Sequence, residues 1–462
     1  MDRIKSLFAR YKPVRNEAEY EPLTEDGVGR RSDAETVLAP EDGSEVPFSW
    51  VEYFIFAMVG VAMLWAWNMF MAAAPYFQMR FRDDPWLLDN FQSAILSTST
   101  FTNLAVMLVL TSMQRSASYP LRINTALIIN TCTFSLLTIS TVYFLNVPPG
   151  LYLVFVLVTV ALAAWATGLL QNGAFAFAAS FGRPEYTQAI MAGQGVAGVL
   201  PPIAQMVSVL AFSAPVDDKH QQSRQSGAGN AAFIYFLTAV VVSAAALVSF
   251  IPLVRRHNAL VEMRLADQMA ASHASIEQAE RAARRVVGPV TLFRKLHFVA
   301  GAVFICFTVT MFFPVFTTKI VSVRTGKDVS PIFQPQAFIP LAFFFWNLGD
   351  LTGRVATILP FSLRHRPAAL FGLGVARVLF LPLYLLCNVG GRGAAVNSDL
   401  FYLLLVQLPF GLTNGWLGSS AMMAAAEWVD EPEREAAGGF MSLSLVAGLT
   451  VGSLLSFTAS GV

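Results

Sequence analysis

FFFWNLGDLTGRVAT, residues 343–357, is the stretch on which the reading of this chain turns. Its apolar run reads as part of a membrane-spanning helix, yet it carries Asp350 and Arg354. Four residues apart, the two charges stack on one helical face, and Asn347 one turn earlier extends that face. Each charge costs roughly 2.5–3.5 kcal/mol at the centre of a span on insertion scales. The face must therefore look at protein or at a water-filled cavity. Two readings follow. One is a structural ion pair that locks a helix against its neighbours. The other is a polar clamp, in which Arg donates in a rigid fork and Asp accepts, a pattern that matches vicinal hydroxyls.

The rest of the chain fits a spanning segment. Of 462 residues, 55% are hydrophobic and only 13% charged, against about 25% charged in a soluble domain. Mean hydropathy is +0.55. This is the composition of an all-α polytopic membrane protein. A net charge of +1 points to no nucleic-acid partner. Cys132, Cys306 and Cys387 lie in apolar runs without metal-ligand spacing, which predicts three buried thiols, no disulfide and no metal. There is no Walker sequence, no HExxH and no Ser-His-Asp pattern, and nothing calls for a cofactor. Asp83, Asp84 and Asp89 form a single acidic cluster beside Arg80 and Arg82. A membrane prenyltransferase needs a second such cluster, so the reading is not an enzyme.

Residues 1–47 are polar, with no apolar run behind their basic start, which argues against a cleaved signal peptide. The acidic run from Glu17 to Glu45 reads as a disordered cytosolic tail. Eleven apolar stretches follow, at about 50–78, 89–113, 120–145, 151–180, 185–213, 231–254, 298–322, 335–361, 367–389, 398–427 and 434–460. Each is long enough for the roughly 20 residues that a crossing needs. Transmembrane helices 1–6 fall within 48–254 and helices 7–11 within 298–462. A charged, partly helical cytosolic loop, 255–297, separates them. Seven Lys/Arg in the tail, eight in that loop and six in short turns lie on one side, against seven on the other. The bias predicts a cytosolic N-terminus and a C-terminus on the opposite side.

Several further residues stand out inside spans. Trp67 and Asn68 sit mid-way along the first, and a Trp away from the interfacial belt faces the bundle interior. Met71, one turn on, suits an adaptable pocket. Gln171 and Asn172 in the fourth span need a partner, either another helix or a ligand's hydrogen-bonding edge. Arg377, about ten residues into the ninth, either snorkels to the cytosolic side or meets a carboxylate during a conformational change, a structural or gating role. GQGVAG, 193–198, has no strand before it, so it reads as close helix packing rather than as a dinucleotide loop. Gly411/Gly415 and Gly448/Gly452 read the same way. Pro201, Pro202, Pro314, Pro340 and Pro382 read as breaks or kinks at membrane depth.

Taken in order, these motifs resemble the equilibrative nucleoside transporter family (solute carrier 29 type), in its fungal branch. The resemblance rests on WNMFMAAAPYF at 67–77, LLQNGAFAFAASFGRPEYTQAIMAGQGVAG at 169–198, and Phe313-Pro314. It continues through Asn347, Asp350, Gly353 and Arg354, then Arg377 before VLFLPLYLLCN, GLTNGWLGS at 411–419 and EREAAGGFMSLSLVAG at 433–448. It implies a major-facilitator-like 6+5 arrangement lacking a twelfth helix. It also implies facilitated diffusion of nucleosides, and in some members of nucleobases, by alternating access through a central cavity. Trp67 would lie beside the nucleoside, Met71 would line the cavity, and Gln171 would meet the base edge. Asp350 and Arg354 would engage the ribose hydroxyls, looking across the cavity at Trp67 and Gln171. Gly193 and Gly198 would allow close packing, Pro314 would kink the seventh helix, and Asn347 and Arg377 would support the helix-eight network and gating. Two departures are Ala66, where many relatives carry Pro, and the acidic EWVDEPERE at 427–435, where animal members tend to be basic. The resemblance further implies a monomer in the lipid bilayer, an internal membrane of vacuolar type, and a nucleoside such as adenosine or uridine as partner. The alternatives are a proton-coupled transporter working through Asp350, and a non-transporting receptor or scaffold with a structural pair.

Overall fold

The computed structural model describes residues 48–113, 118–211, 221–271, 288–324, 330–360 and 362–456. The acidic tail and the centre of the 255–297 loop, about which the sequence raises expectations, lie outside these residues. The described chain is almost wholly helical. In order it forms α1 (Trp50–Ala72), α2 (Ala74–Phe81), α3 (Pro85–Ser112), α4 (Tyr119–Tyr143), α5 (Pro149–Ser180), α6 (Pro184–Ala211) and α7 (Gln221–Ala271). The second half contains α8 (Pro289–Thr310), α9 (Phe312–Thr317), α10 (Pro335–Ala356), α11 (Pro367–Ala376), α12 (Phe380–Leu385), α13 (Leu408–Ala424) and α14 (Arg434–Ser456). A π-helical turn, Phe401–Gln407, leads into α13.

Among the described residues nine helices are long and apolar enough to cross a membrane. The eighth and tenth expected spans are also helical but fall outside those nine. α10 carries Asn347, Asp350 and Arg354, and the tenth span is divided between the π-turn and α13.

Proline sets many of the boundaries. α3, α5, α6, α8, α10 and α11 each begin on Pro, whose missing N–H is one that a first turn leaves unbonded anyway. Asp84 caps α3 by accepting from the Leu87 amide at 3.1 Å. Pro314 divides α8 from α9 at Met311, and Pro382 follows the 3-10 turn Arg377–Leu379, as expected of breakers. Pro201, Pro202 and Pro340, by contrast, lie inside unbroken helices. Pro201 cannot donate to the Ala197 carbonyl, and Asn68 supplies the missing bond from Nδ2 at 2.8 Å.

Two expectations need correction, and the helix expected within 255–297 is continuous with the sixth span. α8 begins at Pro289, about nine residues before the expected start, because Gly288-Pro289 is itself a helix start. α7 continues from the sixth span to Ala271, since LADQMAA favours helix and nothing breaks it. Cys132 is exposed on the outside of the bundle, while Cys306 and Cys387 are buried. The buried stripe of α4 runs through Ile123, Leu127, Asn130, Phe134 and Leu137, which turns position 132 outward.

α1, α4, α6, α8, α11 and α14 all start at the end of the bundle where the sequence concentrates Lys and Arg, here called the basic end. Nearest that end, one hydrophobic core joins both halves of the chain. It runs from Ile55, Met63, Phe177 and Tyr186 in the first half to Leu292, Phe307, Leu417 and Met441 in the second. Toward the far end the core divides in two. One cluster draws only on the first half, from Ala66, Phe77, Phe91, Tyr152 and Phe236. The other draws only on the second, from Phe313, Phe338, Trp346, Tyr384 and Phe410. The halves are thus sealed together at one end and packed separately at the other. Between Phe175 and Thr187 of the first half and Met422 and Gly438 of the second, the seal leaves a cavity of only about 10 Å³.

Candidate functional site

Asp350 and Arg354 lie on the face of α10 that meets α6 and α13, and both are about 95% buried. Glycine makes this approach possible. A Cβ on Gly411 or Gly415 would collide with the Trp346 or Asp350 carbonyl of α10. On the α6 side, a Cβ on Gly195 would lie 3.1 Å from Arg354 Cδ, and one on Gly198 would lie 2.6 Å from Asn347 Oδ1. Gly193, two residues from Gly195, instead faces α1, where a Cβ would strike the Ala57 carbonyl. GQGVAG is therefore a two-sided packing motif, as a helical stretch rather than a phosphate loop should be.

The two charges are paired with each other and held by further protein groups. Arg354 Nε donates to Asp350 Oδ2 at 2.7 Å. Its Nη1 donates to the Met191 carbonyl at 2.9 Å and to Gln194 Oε1 at 3.0 Å. Asp350 Oδ1 accepts from Asn414 Nδ2 at 2.7 Å. Asn414 Oδ1 in turn accepts from the Thr310 hydroxyl at 2.6 Å and from the Cys306 thiol at 3.3 Å. Behind these lies Arg377. Its Nη1 donates to the Cys306 carbonyl at 2.6 Å, and both Nη atoms reach Thr310 Oγ1 at 3.3 Å. The guanidinium also sits 4.8 Å over the Phe410 ring. A continuous polar relay thus runs from Arg377 through Thr310, Asn414, Asp350 and Arg354 to Gln194, which reaches Met63 Sδ on α1 at 2.8 Å. Buried polar groups joined in this way fix their helices strongly, because each lost bond leaves a group that has no water to turn to.

Arg377 does not snorkel. It is 3% exposed and held by neutral acceptors, with no carboxylate in direct contact among the described residues. The 3-10 turn that precedes Pro382 directs it into the half-bundle. Nor do Asp350 and Arg354 touch Trp67 or Gln171 directly; their partners are on α6 and α13. Asn347 bonds back to the Phe343 carbonyl at 2.8 Å and presents Oδ1 to Gly198. Trp67 is partly buried against the far-end core of the first half, and Met71 is 52% exposed. Gln171 is 5% exposed; Ser442 donates to its backbone carbonyl at 3.4 Å, and its carboxamide has no hydrogen-bond partner among the described residues. Its neighbour Asn172 is used as glue, accepting from Arg122 Nη1 at 2.5 Å. Pro314 follows Phe313, whose ring stacks on Trp346 with centroids 4.1 Å apart.

These residues cluster at one level. Trp67 follows Ala66, where the far-end core begins on α1, and Gln171 follows Leu170 of the shared core. Asn347 follows Trp346 of the other far-end cluster. They bracket the height at which the shared core divides. Sequence reasoning missed Asn414 and Gln194, although both stand inside glycine motifs, GLTNG and GQG. A carboxamide between two packing glycines is buried by construction and must be bonded, and that was the available signal. Among the described residues no group of three or more His, Cys, Asp or Glu is placed to hold a metal.

The chain was compared with known proteins. A family model described as nucleoside transporter matches residues 157–460. The nucleoside transporter FUN26 of Saccharomyces cerevisiae is 30% identical over 88% of this chain and 83% of its own. The equilibrative nucleoside transporter 1 of Mus musculus is 27% identical over 88% of this chain and 96% of its own. Among solved structures, the major facilitator transporter FucP in its outward conformation superposes with a TM-score of 0.56 at 14% identity, covering 89% of this chain and 92% of that one. The proton:xylose symporter XylE gives 0.58 at 11% identity, covering 89% of each chain. At such identities these two establish the fold alone, a major-facilitator arrangement of membrane helices. The match over residues 157–460 and the 30% identity across most of the chain settle its kinship: it belongs to the nucleoside transporter family.

Proposed function

We propose that this protein carries nucleosides down their gradients by alternating access. The observation that carries the reading is the divided core. Two half-bundles sealed at the basic end and packed separately at the far end are what one end-state of such a cycle requires, and the candidate residues lie at the dividing level. In this reading the base lies between Trp67 and Gln171, whose free carboxamide reads its edge, and Met71 lines the approach. The ribose meets Arg354. Its Nη2 alone has no partner among the described residues, while Asp350 and Asn347 fix the guanidinium and its helix. Gly193 and Gly198 keep α6 close to both halves, and Pro314 and Arg377 shape and brace the second half. The Lys/Arg bias puts the N-terminus and the basic end in the cytosol, so the far end faces outside or into a lumen. Likeness to the fungal members favours an internal membrane of vacuolar type, with the chain acting as a monomer.

Proton coupling finds little support. Both Asp350 oxygens accept N–H bonds, from Arg354 and Asn414, which makes the carboxylate a fixed acceptor within the helix network. The deciding experiment uses proteoliposomes with radiolabelled adenosine and uridine. Entry that stops at equilibrium is expected with and without a pH gradient. No uptake of any nucleoside would sink the proposal, and accumulation driven by the pH gradient would replace it with the coupled mechanism.

A further inference from the structure

The two halves differ in one respect that leaves a cleft. In the first half, α7 packs against both α1 and α4. At the basic end it supplies Phe250 and Leu253 to the core, and its Arg256 pairs with buried Glu52 at 3.0 Å. In the second half the corresponding helices are α8 and α11, and no described helix fills the equivalent slot. α8 and α11 close on each other further along, where Gly301 meets Phe371 and Gly374 meets Ala302. Toward the basic end they splay. The space between them is a cavity of about 570 Å³, lined by Lys295, His297, Phe298, Arg366, Ala369 and Trp428 among others.

Its chemistry is amphipathic. Phe298 and Trp428 are 41% and 42% exposed and give it aromatic walls. The Trp428 indole N–H, donated to the Arg364 carbonyl at 3.0 Å, anchors the connection before α14 across its mouth. The charges around the mouth are not equally free. Lys295 is shared by Asp430 at 3.2 Å and Glu433 at 2.5 Å, and Arg364 is held by Glu427 at 2.6 Å, so this cluster keeps one net negative charge that Arg366 offsets. His297 is exposed, and its Nδ1 donates to the Arg294 carbonyl at 3.0 Å. Arg366 is exposed, and its guanidinium has no partner among the described residues. A slot with aromatic walls, an unpaired guanidinium at its mouth and a place at the leaflet boundary suits a lipid with an apolar tail and an anionic head.

We propose that this cleft binds one anionic glycerophospholipid of the leaflet at the basic end. The headgroup would meet Arg366 and His297, and an acyl chain would lie along Phe298 in the slot that α7 fills in the other half. The test is native mass spectrometry of the full-length protein, delipidated and then offered equal phosphatidylserine and phosphatidylcholine. Phosphatidylserine should be retained about fivefold more, and Arg366→Gln should remove that preference, because one cation near an anionic surface is worth about that much. Trp428→Ala should weaken retention of both lipids. Uridine uptake in phosphatidylcholine vesicles should survive Arg366→Gln, which reports that the variant is folded. Equal retention of the two lipids, or a preference unchanged in Arg366→Gln, would overturn the proposal. So would displacement of the bound lipid by millimolar inorganic phosphate, which would mark a free-anion site. A dimer mass in place of bound lipid would show instead that a second copy fills the slot.

Discussion

Replacing Asn414 with Ala tests whether the polar relay carries energy. The substitution takes the donor from Asp350 Oδ1 and the acceptor from Thr310 and Cys306. Thr310 loses little, because its hydroxyl also lies 2.8 Å from the Cys306 carbonyl and can turn to it. Asp350 has no such substitute, and a buried acceptor stripped of its donor costs about 1–3 kcal/mol, with charged groups at the top of that range. The expected loss is therefore about 2–3 kcal/mol, well above the ~0.6 kcal/mol average of neutral hydrogen bonds between membrane helices. It is measured by denaturant unfolding of detergent-purified protein. Thr310→Val in the same assay should cost under about 1 kcal/mol. Asp350→Asn should shrink the Asn414→Ala effect, since the lost partner is then neutral, giving a coupling of about 1–2 kcal/mol in the double-mutant cycle. An Asn414→Ala protein within about 0.5 kcal/mol of the parent would refute the reasoning, because that is the range of surface substitutions away from any network.

Arg354→Ala should abolish uridine uptake, and it leaves Asp350 buried without its cation, a defect of about 3–5 kcal/mol. Asp350→Ala with Arg354→Ala should recover stability but not uptake; recovered uptake in the double variant would show the pair to be structural only. Gln171→Ala should change the ratio of adenosine to uridine uptake more than the summed rate, and equal losses for both would remove Gln171 from base recognition. In a Cys132→Ser background, Met71→Cys should react with an impermeant maleimide from the far face, while Met422→Cys at the sealed end should stay protected. The reverse pattern would contradict the divided core.

The sequence exposed the positions of the spans far better than their partners. Apolar length is a local property, so each of the eleven expected stretches contains helix among the described residues, and bounds shift where a Gly-Pro step or a helix-favouring polar run extends one. The 255–271 stretch is too polar to span yet continues α7. Asp350 and Arg354 announced themselves because charge at membrane depth has a price that only function or packing explains. Their partners did not, since which helix lies opposite depends on where glycines allow approach. Gly195 and Gly415 decide that α6 and α13, rather than α1 and α5, meet the pair. Arg377 shows the same limit. Its depth in the span leaves snorkelling and a carboxylate partner both open, and the turn before Pro382 instead points it inward to Thr310 and Cys306.

The two readings of the Asp350–Arg354 pair, lock and clamp, are compatible once both end-states are considered. In the sealed state Arg354 Nη1 bonds to Met191 and Gln194 of α6, and Gln188 of the same helix donates to the Arg354 carbonyl at 3.2 Å. These are bonds between the halves, so opening the basic end must break them. An empty site would then leave Nη1 without an acceptor, while Nε keeps its bond to Asp350 on the same helix. Hydrogen bonds to charged groups are each worth about 1.5–3 kcal/mol, so two lost bonds place about 3–6 kcal/mol in the way of an empty crossing. In the proposed reading, ribose hydroxyls held at Nη2 lie beside Nη1 and replace what α6 withdraws. On that proposal substrate lowers the barrier by substituting for the lock, and the interaction that holds the halves shut is the one that would make their opening depend on a bound nucleoside.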